Sequence, residues 1–229
     1  MPAKYDPIKY WTDENTDYLS PGQSVESIPA HIEHVKAFNS LLHPVRENIR
    51  TVFEIGCGYG RMTKHFLDNN VFPNLRWYHA IDLSANKVQA AVNYLHDYIL
   101  IPEGEEQNAK LMIWMDNFAG AQMRGQQTIN AIKEYYHGGY DLVFSCQVLM
   151  HQLPDDIDYW IKKTGILSKK YIINLDWFQD PEPKDAANWN FVHNYETIYQ
   201  RQLGILPENI QKKAVGDLRQ NIYMVTKPG

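Results

Sequence analysis

The chain is defined first by what it lacks. Its 229 residues include two cysteines, Cys57 and Cys146, far apart in sequence and outside any Cys-x-x-Cys pair. That excludes a disulfide framework and a cysteine-based zinc site. Lysine and arginine form no run, and the formal net charge is −5, so the electrostatic footprint of a nucleic-acid binder is missing. No apolar stretch approaches the roughly 18–20 residues of a membrane span. The opening MPAKYDPIKYW holds no apolar segment of the secretory type. A reduced, cytoplasmic setting is the expectation. Internal repeats and low-complexity tracts are absent from the sequence as well. What is abundant is aromatic: fifteen Tyr and six Trp stand in a chain of otherwise ordinary globular composition. Part of that excess is expected to line a ligand pocket.

Residues 1–24 are polar and broken by Pro and Gly, yet carry Tyr5, Tyr10, Trp11 and Tyr18, which reads as an arm packing back on the domain. Ser24 is placed to cap a helix reaching about Leu42, with Val25, Ile28, Ile32, Val35, Phe38 and Leu42 forming one apolar stripe. Strand and helix signals then alternate. Strands are expected at 51–56, 75–82, 109–116, 140–145 and 170–177. Helices are expected from the glycine loop to about Asp68, after Ser84, at 119–137, from Pro154 to Leu167, and at 195–203. Such alternation implies a parallel sheet with helices on both faces. The end differs. Residues 212–217 and 221–227 are too close for a parallel crossover, which needs a dozen or more residues, and so predict an antiparallel hairpin.

The first strand runs into FEIGCGYGRM, residues 53–62. Three alternating glycines at a strand-to-helix turn allow the backbone to approach a ligand at the carboxyl end of the sheet. Free N–H groups of the following helix add to the site. Three nucleotide patterns compete here. A phosphate-gripping P-loop requires Gly-Lys, but Arg61 and Met62 follow Gly60. A dinucleotide fingerprint places its third glycine at 61, where Arg61 stands. The remaining pattern has an acid two residues before the first of three alternating glycines, and Glu54, Gly56, Gly58 and Gly60 match it in full.

On this motif, the strand–helix alternation and the final hairpin, residues 50–227 resemble the class I S-adenosylmethionine (SAM)-dependent methyltransferases. The resemblance implies an α/β fold: a Rossmann-like, seven-stranded, mostly parallel sheet with an antiparallel last strand and helices on both faces. It divides the chain into an N-terminal arm and helix, 1–46, packing on a methyltransferase domain, 47–229. It implies SAM as cofactor, with Glu54, Gly56, Cys57, Gly58 and Gly60 at the methionine end. Asp82 lies 22 residues after Gly60, at the end of the second strand, where a carboxylate can accept both ribose hydroxyls. Leu83 is then expected in the adenine slot, with Asp116 and Asn117 at the adenine amino group. Ser145 lies under the cofactor, and Tyr10 and Trp11 close over it from the arm.

The acceptor side is read from SCQVLMHQ and beyond. Similar small-molecule enzymes carry a histidine near the position of His151, and imidazole suits removal of a hydroxyl proton near neutrality. His193 is a second candidate base, with Asp176 as an acid to orient it. Trp177, Phe178, Trp189, Phe191 and Tyr195 are candidates for an apolar pocket on a long loop. Asp176 alone makes no oxygen cluster, so no metal is expected. The resulting expectation is methyl transfer to a small-molecule hydroxyl: a natural product, sugar or other metabolite. N-methylation, an RNA or protein acceptor, and a non-catalytic cofactor-binding module are the alternatives. The expected partner is a small molecule rather than nucleic acid or membrane, and a homodimer is an admissible assembly.

Overall fold

The computed structural model describes residues 5–12, 19, 23–99, 110–115, 139–177 and 190–228. Seven strands form one sheet: β1 Thr51–Ile55, β2 Trp77–Asp82, β3 Lys110–Met115, β4 Tyr140–Cys146, β5 Ser168–Trp177, β6 Ile210–Ala214 and β7 Gln220–Thr226. Their spatial order is β3-β2-β1-β4-β5-β7-β6. β1 to β5 pair in parallel, and β7 runs antiparallel to both β5 and β6. The mostly parallel class and the closing hairpin agree with the sequence. Every residue of β4 is buried, as a central parallel strand covered on both faces requires.

Helices cover the two faces. Those described are α1 Pro7–Thr12, α2 His31–Leu42, α3 Arg61–Asp68, α4 Ala85–Tyr94, α5 His96–Ile99, α6 Ile157–Leu167 and α7 Tyr195–Leu203. Strand side chains alternate between two cores. Leu142 and Phe144 point to the layer holding Phe38 and Phe66, while Val143 points to the layer holding Trp160 and Tyr199. Among the described residues no helix is long and apolar enough to cross a membrane.

The helix expected from Ser24 is interrupted. A short 3-10 turn at Val25–Ser27 ends at Ile28, which is extended because it precedes Pro29, and Ser24 makes no side-chain cap bond. The α-helix restarts at His31. The restart rotates the stripe, so that Ile32 is exposed and His34 is buried. Ser84 does cap α4, accepting from the Lys87 N–H. The 119–137 helix, the 102–107 loop, and Asp116, Asn117, Phe178 and Trp189 lie outside the described residues.

Candidate active site

The chain builds β1, β2 and β3 in one direction from the centre, then β4 and β5 in the other. The carboxyl ends of β1 and β4 therefore flank a topological switch point, where open α/β sheets place their ligands. Ile55 pairs with Ile81 on one side and Ser145 on the other, which brings three strand ends level. A cleft of about 540 Å³ opens there.

The glycine loop forms its floor. Gly56, Gly58 and Gly60 all have positive φ. A Cβ on Gly56 would stand 2.4 Å from Val148 Cγ2, so a side chain there would collide with the β4 turn. The loop is tied to β2 by Cys57 N–H to Ile81 O at 2.9 Å and by Gly58 N–H to Asp82 Oδ2 at 2.8 Å. Asp82 Oδ1 accepts from the Ser84 N–H at 2.9 Å. The carboxylate is thus fixed in orientation at the rim of the cleft. Leu83 lines the cleft beside it.

Glu54 is buried beneath the loop. Its Oε2 accepts from Thr63 Oγ1 and Tyr78 OH, each at 2.6 Å, locking β1 to α3 and β2. Burial pushes its carboxyl up to about 7 against the effect of those two donors. Burial likewise raises the Cys57 thiol well above its ordinary range and the Cys146 thiol to about 11, so neither is a thiolate nucleophile.

Arg61 has a larger part than the sequence suggested, where it served only to exclude other motifs. It is buried in the cleft wall. Its guanidinium contacts His31 Nδ1 at 3.3 Å, Gln147 Oε1 at 3.2 Å and Cys146 Sγ at 3.4 Å. These are neutral partners, and no ion pair among the described residues includes Arg61. No described carboxylate touches the guanidinium, although the buried Glu54 carboxyl is near enough to interact with it electrostatically, and the cation is therefore open to an anionic ligand group. Gln147 itself holds a positive φ of 61°, a conformation rare for a side-chain-bearing residue and typical of a constrained site.

The far wall is made by the 3-10 turn Leu149–His151 and by α1. His151 lines the cleft, and its ring lies 4.4 Å from that of Trp11. Trp11 Nε1 donates to Tyr5 OH at 3.2 Å, and Tyr5 OH donates to the His151 carbonyl at 3.2 Å. Lys87 Nζ sits over the Trp11 ring at 4.6 Å. On this helix Trp11 lines the cleft. Tyr10 does not, and packs against Tyr5 and Trp11 instead.

Several expected residues fall outside the cleft. Asp176 is fully buried under the turn, accepting from Met150 N–H at 3.1 Å and Asn174 Nδ2 at 2.9 Å, and burial raises its carboxyl to about 7. It holds up the segment that carries His151. The expected Asp176–His193 pair does not form: His193 Nε2 bonds the Gln152 carbonyl at 3.1 Å, and burial lowers the imidazole to about 4. Ser145 is buried in the sheet, between Ile55 and Asn174. Of the aromatic pocket, Trp177 lines the cleft, whereas Tyr195 is core and Phe191 packs on Tyr5. Gly60 does not border the cleft and packs toward Leu95. Among the described residues no group of three or more His, Cys, Asp or Glu side chains is placed to hold a metal ion.

No protein-family model and no curated protein matches the chain. Solved structures do. The methyltransferase domain of bacterial CtHen1-CN aligns with TM-score 0.62 at 12% identity, covering 86% of this chain and 100% of that one. Magnesium protoporphyrin IX methyltransferase from Synechocystis PCC 6803, with bound SAM, aligns with TM-score 0.60 at 16% identity over 100% of both chains. Mitomycin 7-O-methyltransferase aligns with TM-score 0.57 at 15% identity, covering 88% of this chain and 54% of that one. The fold is that of the class I SAM-dependent methyltransferases.

Proposed function

We propose that the protein is a SAM-dependent methyltransferase acting on a hydroxyl of a small-molecule acceptor. The observation that carries this reading is the Asp82 carboxylate, fixed by Gly58 and Ser84 at the switch point of a cleft that continues to His151. The similarity in fold to structures solved with SAM and SAH supports it.

The residues present fit the cofactor. Asp82 would accept the ribose hydroxyls, and Leu83 would flank the adenine, with Asp116 and Asn117 as proposed further contacts. The glycine loop leaves room for the methionine chain. Arg61 would take its carboxylate, an anion matching a buried cation that no described carboxylate touches. Glu54 and Cys57 lie at the same end of the cleft. When bound, SAM supplies an electrophilic methyl group on a sulfonium. That methyl group would pass to the acceptor oxygen, and the electron pair of the carbon–sulfur bond would stay with sulfur. His151 is assigned the proton that the hydroxyl gives up. Asp176 positions His151 through the backbone of the turn.

Calorimetry with SAM and its product S-adenosylhomocysteine (SAH) tests the donor site, and absence of affinity for either overturns the proposal. Tritium transfer from labelled SAM into small-molecule, RNA and protein fractions tests the acceptor class. Label confined to RNA or protein rejects the small-molecule reading.

A further inference from the structure

The cleft has an unevenly charged lining. Its Asp, Glu, Lys and Arg side chains are Glu54, Arg61, Asp82 and Lys87, all at the glycine-loop end or on α4. The lining from Gln147 onward carries none among the described residues. It consists of Gln147, Val148, Met150, His151, Gln152, Trp160, Trp177 and Asn190, faced by Trp11. The nearest cations, Arg61 against Gln147 and Lys87 over the Trp11 ring, belong to the glycine-loop end, so a carboxylate or phosphate beside Asn190 would meet no charged side chain of the described lining. Three indoles border the same space and offer flat apolar walls.

Asn190 stands out in this lining. It is only 9% exposed, and its Oδ1 is buried with no hydrogen-bond partner. A buried amide oxygen left without a hydrogen bond is costly and calls for an explanation. Its position is not slack. Phe191 N–H donates to the Met150 carbonyl at 2.7 Å, and His193 Nε2 meets the Gln152 carbonyl at 3.1 Å. These two bonds bracket His151, so Asn190 and the histidine share one wall.

We infer that Asn190 is the acceptor-orienting residue, and that the acceptor is an uncharged aromatic compound carrying, beside the hydroxyl that faces His151, a second hydroxyl or amino group whose hydrogen is received by Asn190 Oδ1. The ring lies among Trp11, Trp160 and Trp177. Asn190 selects for a donor-bearing ring and turns it relative to His151. This deepens the methyltransferase reading and rests on it for the identity of the acceptor site.

The test is ligand-observed NMR titration with phenol, anisole and benzoate, on the protein alone and saturated with SAH. The wild-type protein should bind phenol roughly fivefold more tightly than anisole, the effect of one net hydrogen bond, and should bind benzoate more weakly than phenol. In Asn190→Leu the phenol affinity should drop to the anisole level while anisole is unchanged. Asn190→Ala should give the same loss of preference without added bulk. Phenol binding no tighter than anisole in the wild type overturns the inference. So does a preference that survives both Asn190 variants but disappears in His151→Ala, and so does benzoate binding as tightly as phenol. SAH affinity, measured by calorimetry on the same samples, reports separately. Its absence in the wild type overturns the methyltransferase reading, while the phenol–anisole comparison without SAH still decides the role of Asn190.

Discussion

The Gly58 N–H and the Asp82 carboxylate meet at 2.8 Å, across the gap between the β1 loop and the end of β2. The same carboxylate is held on its other oxygen by Ser84 N–H. A ligand hydroxyl bound at Asp82 would meet an acceptor whose direction is already set, and would lose little ordering entropy there. Removing the carboxylate by Asp82→Ala should lower SAH affinity by about ten- to a hundredfold, the scale of hydrogen bonds to a charged group. Thermal stability should change far less. Isothermal calorimetry with paired melts checks both.

Glu54 gives a pH signature. Its carboxyl is raised to about 7 in the fold, against an ordinary value of 4.5. Between those values the folded protein binds the extra proton, so this group's contribution to stability is present at low pH and is lost as pH rises through about 7. Thr63 and Tyr78 both donate to one oxygen, Oε2, so the amide oxygen of glutamine can keep both bonds. The melting temperature of Glu54→Gln relative to wild type should therefore climb from pH 5 to about pH 7 and level off above it. Other buried groups, such as His34 and Asp176, are common to both proteins and cancel in the difference. A difference that is flat or falls with pH contradicts this assignment.

Two glycines separate stability from binding. Gly56 and Gly139 have φ of +69° and +95°. An added Cβ would meet Val148 Cγ2 at 2.4 Å in the first case and the Leu167 carbonyl oxygen at 2.3 Å in the second. Both alanine variants should lose about 1–3 kcal/mol of stability. Gly56 borders the cleft, whereas Gly139 precedes β4 at the opposite end of the strand. Only Gly56→Ala should also weaken SAH binding. Denaturant melts and calorimetry distinguish the two.

His151 should separate turnover from donor affinity. His151→Ala should reduce methyl transfer by roughly a hundredfold or more, the usual scale of a general base. SAH binding should remain within a few-fold of wild type, because none of the proposed donor contacts lies on the turn that carries His151. Full turnover of a folded variant on its true acceptor removes the base role.

The sheet was legible because its chemistry is local. Parallel strands covered on both faces read as apolar runs, and a gap of a few residues forces a hairpin. The donor loop was legible because three alternating glycines have few other uses. Other features depend on partners distant in sequence. Nothing local shows that Arg61 meets Gln147 and Cys146, or that the Asp176 carboxylate turns to the backbone of residues 148–150 rather than to His193. Pro29 breaks the helix through the extended backbone it imposes on Ile28, whereas the apolar spacings from Val25 to Leu42 taken alone point to one continuous helix. Tyr10 and Trp11 are adjacent, and only the seating of α1 decides which of them borders the cleft.

Trp11 belongs to a helix of six residues, yet its indole touches Lys87 at one end of the cleft and His151 at the other. One side chain thus shares its contacts between two compartments. A change in the seating of this one short helix would therefore be felt at both ends of the cleft.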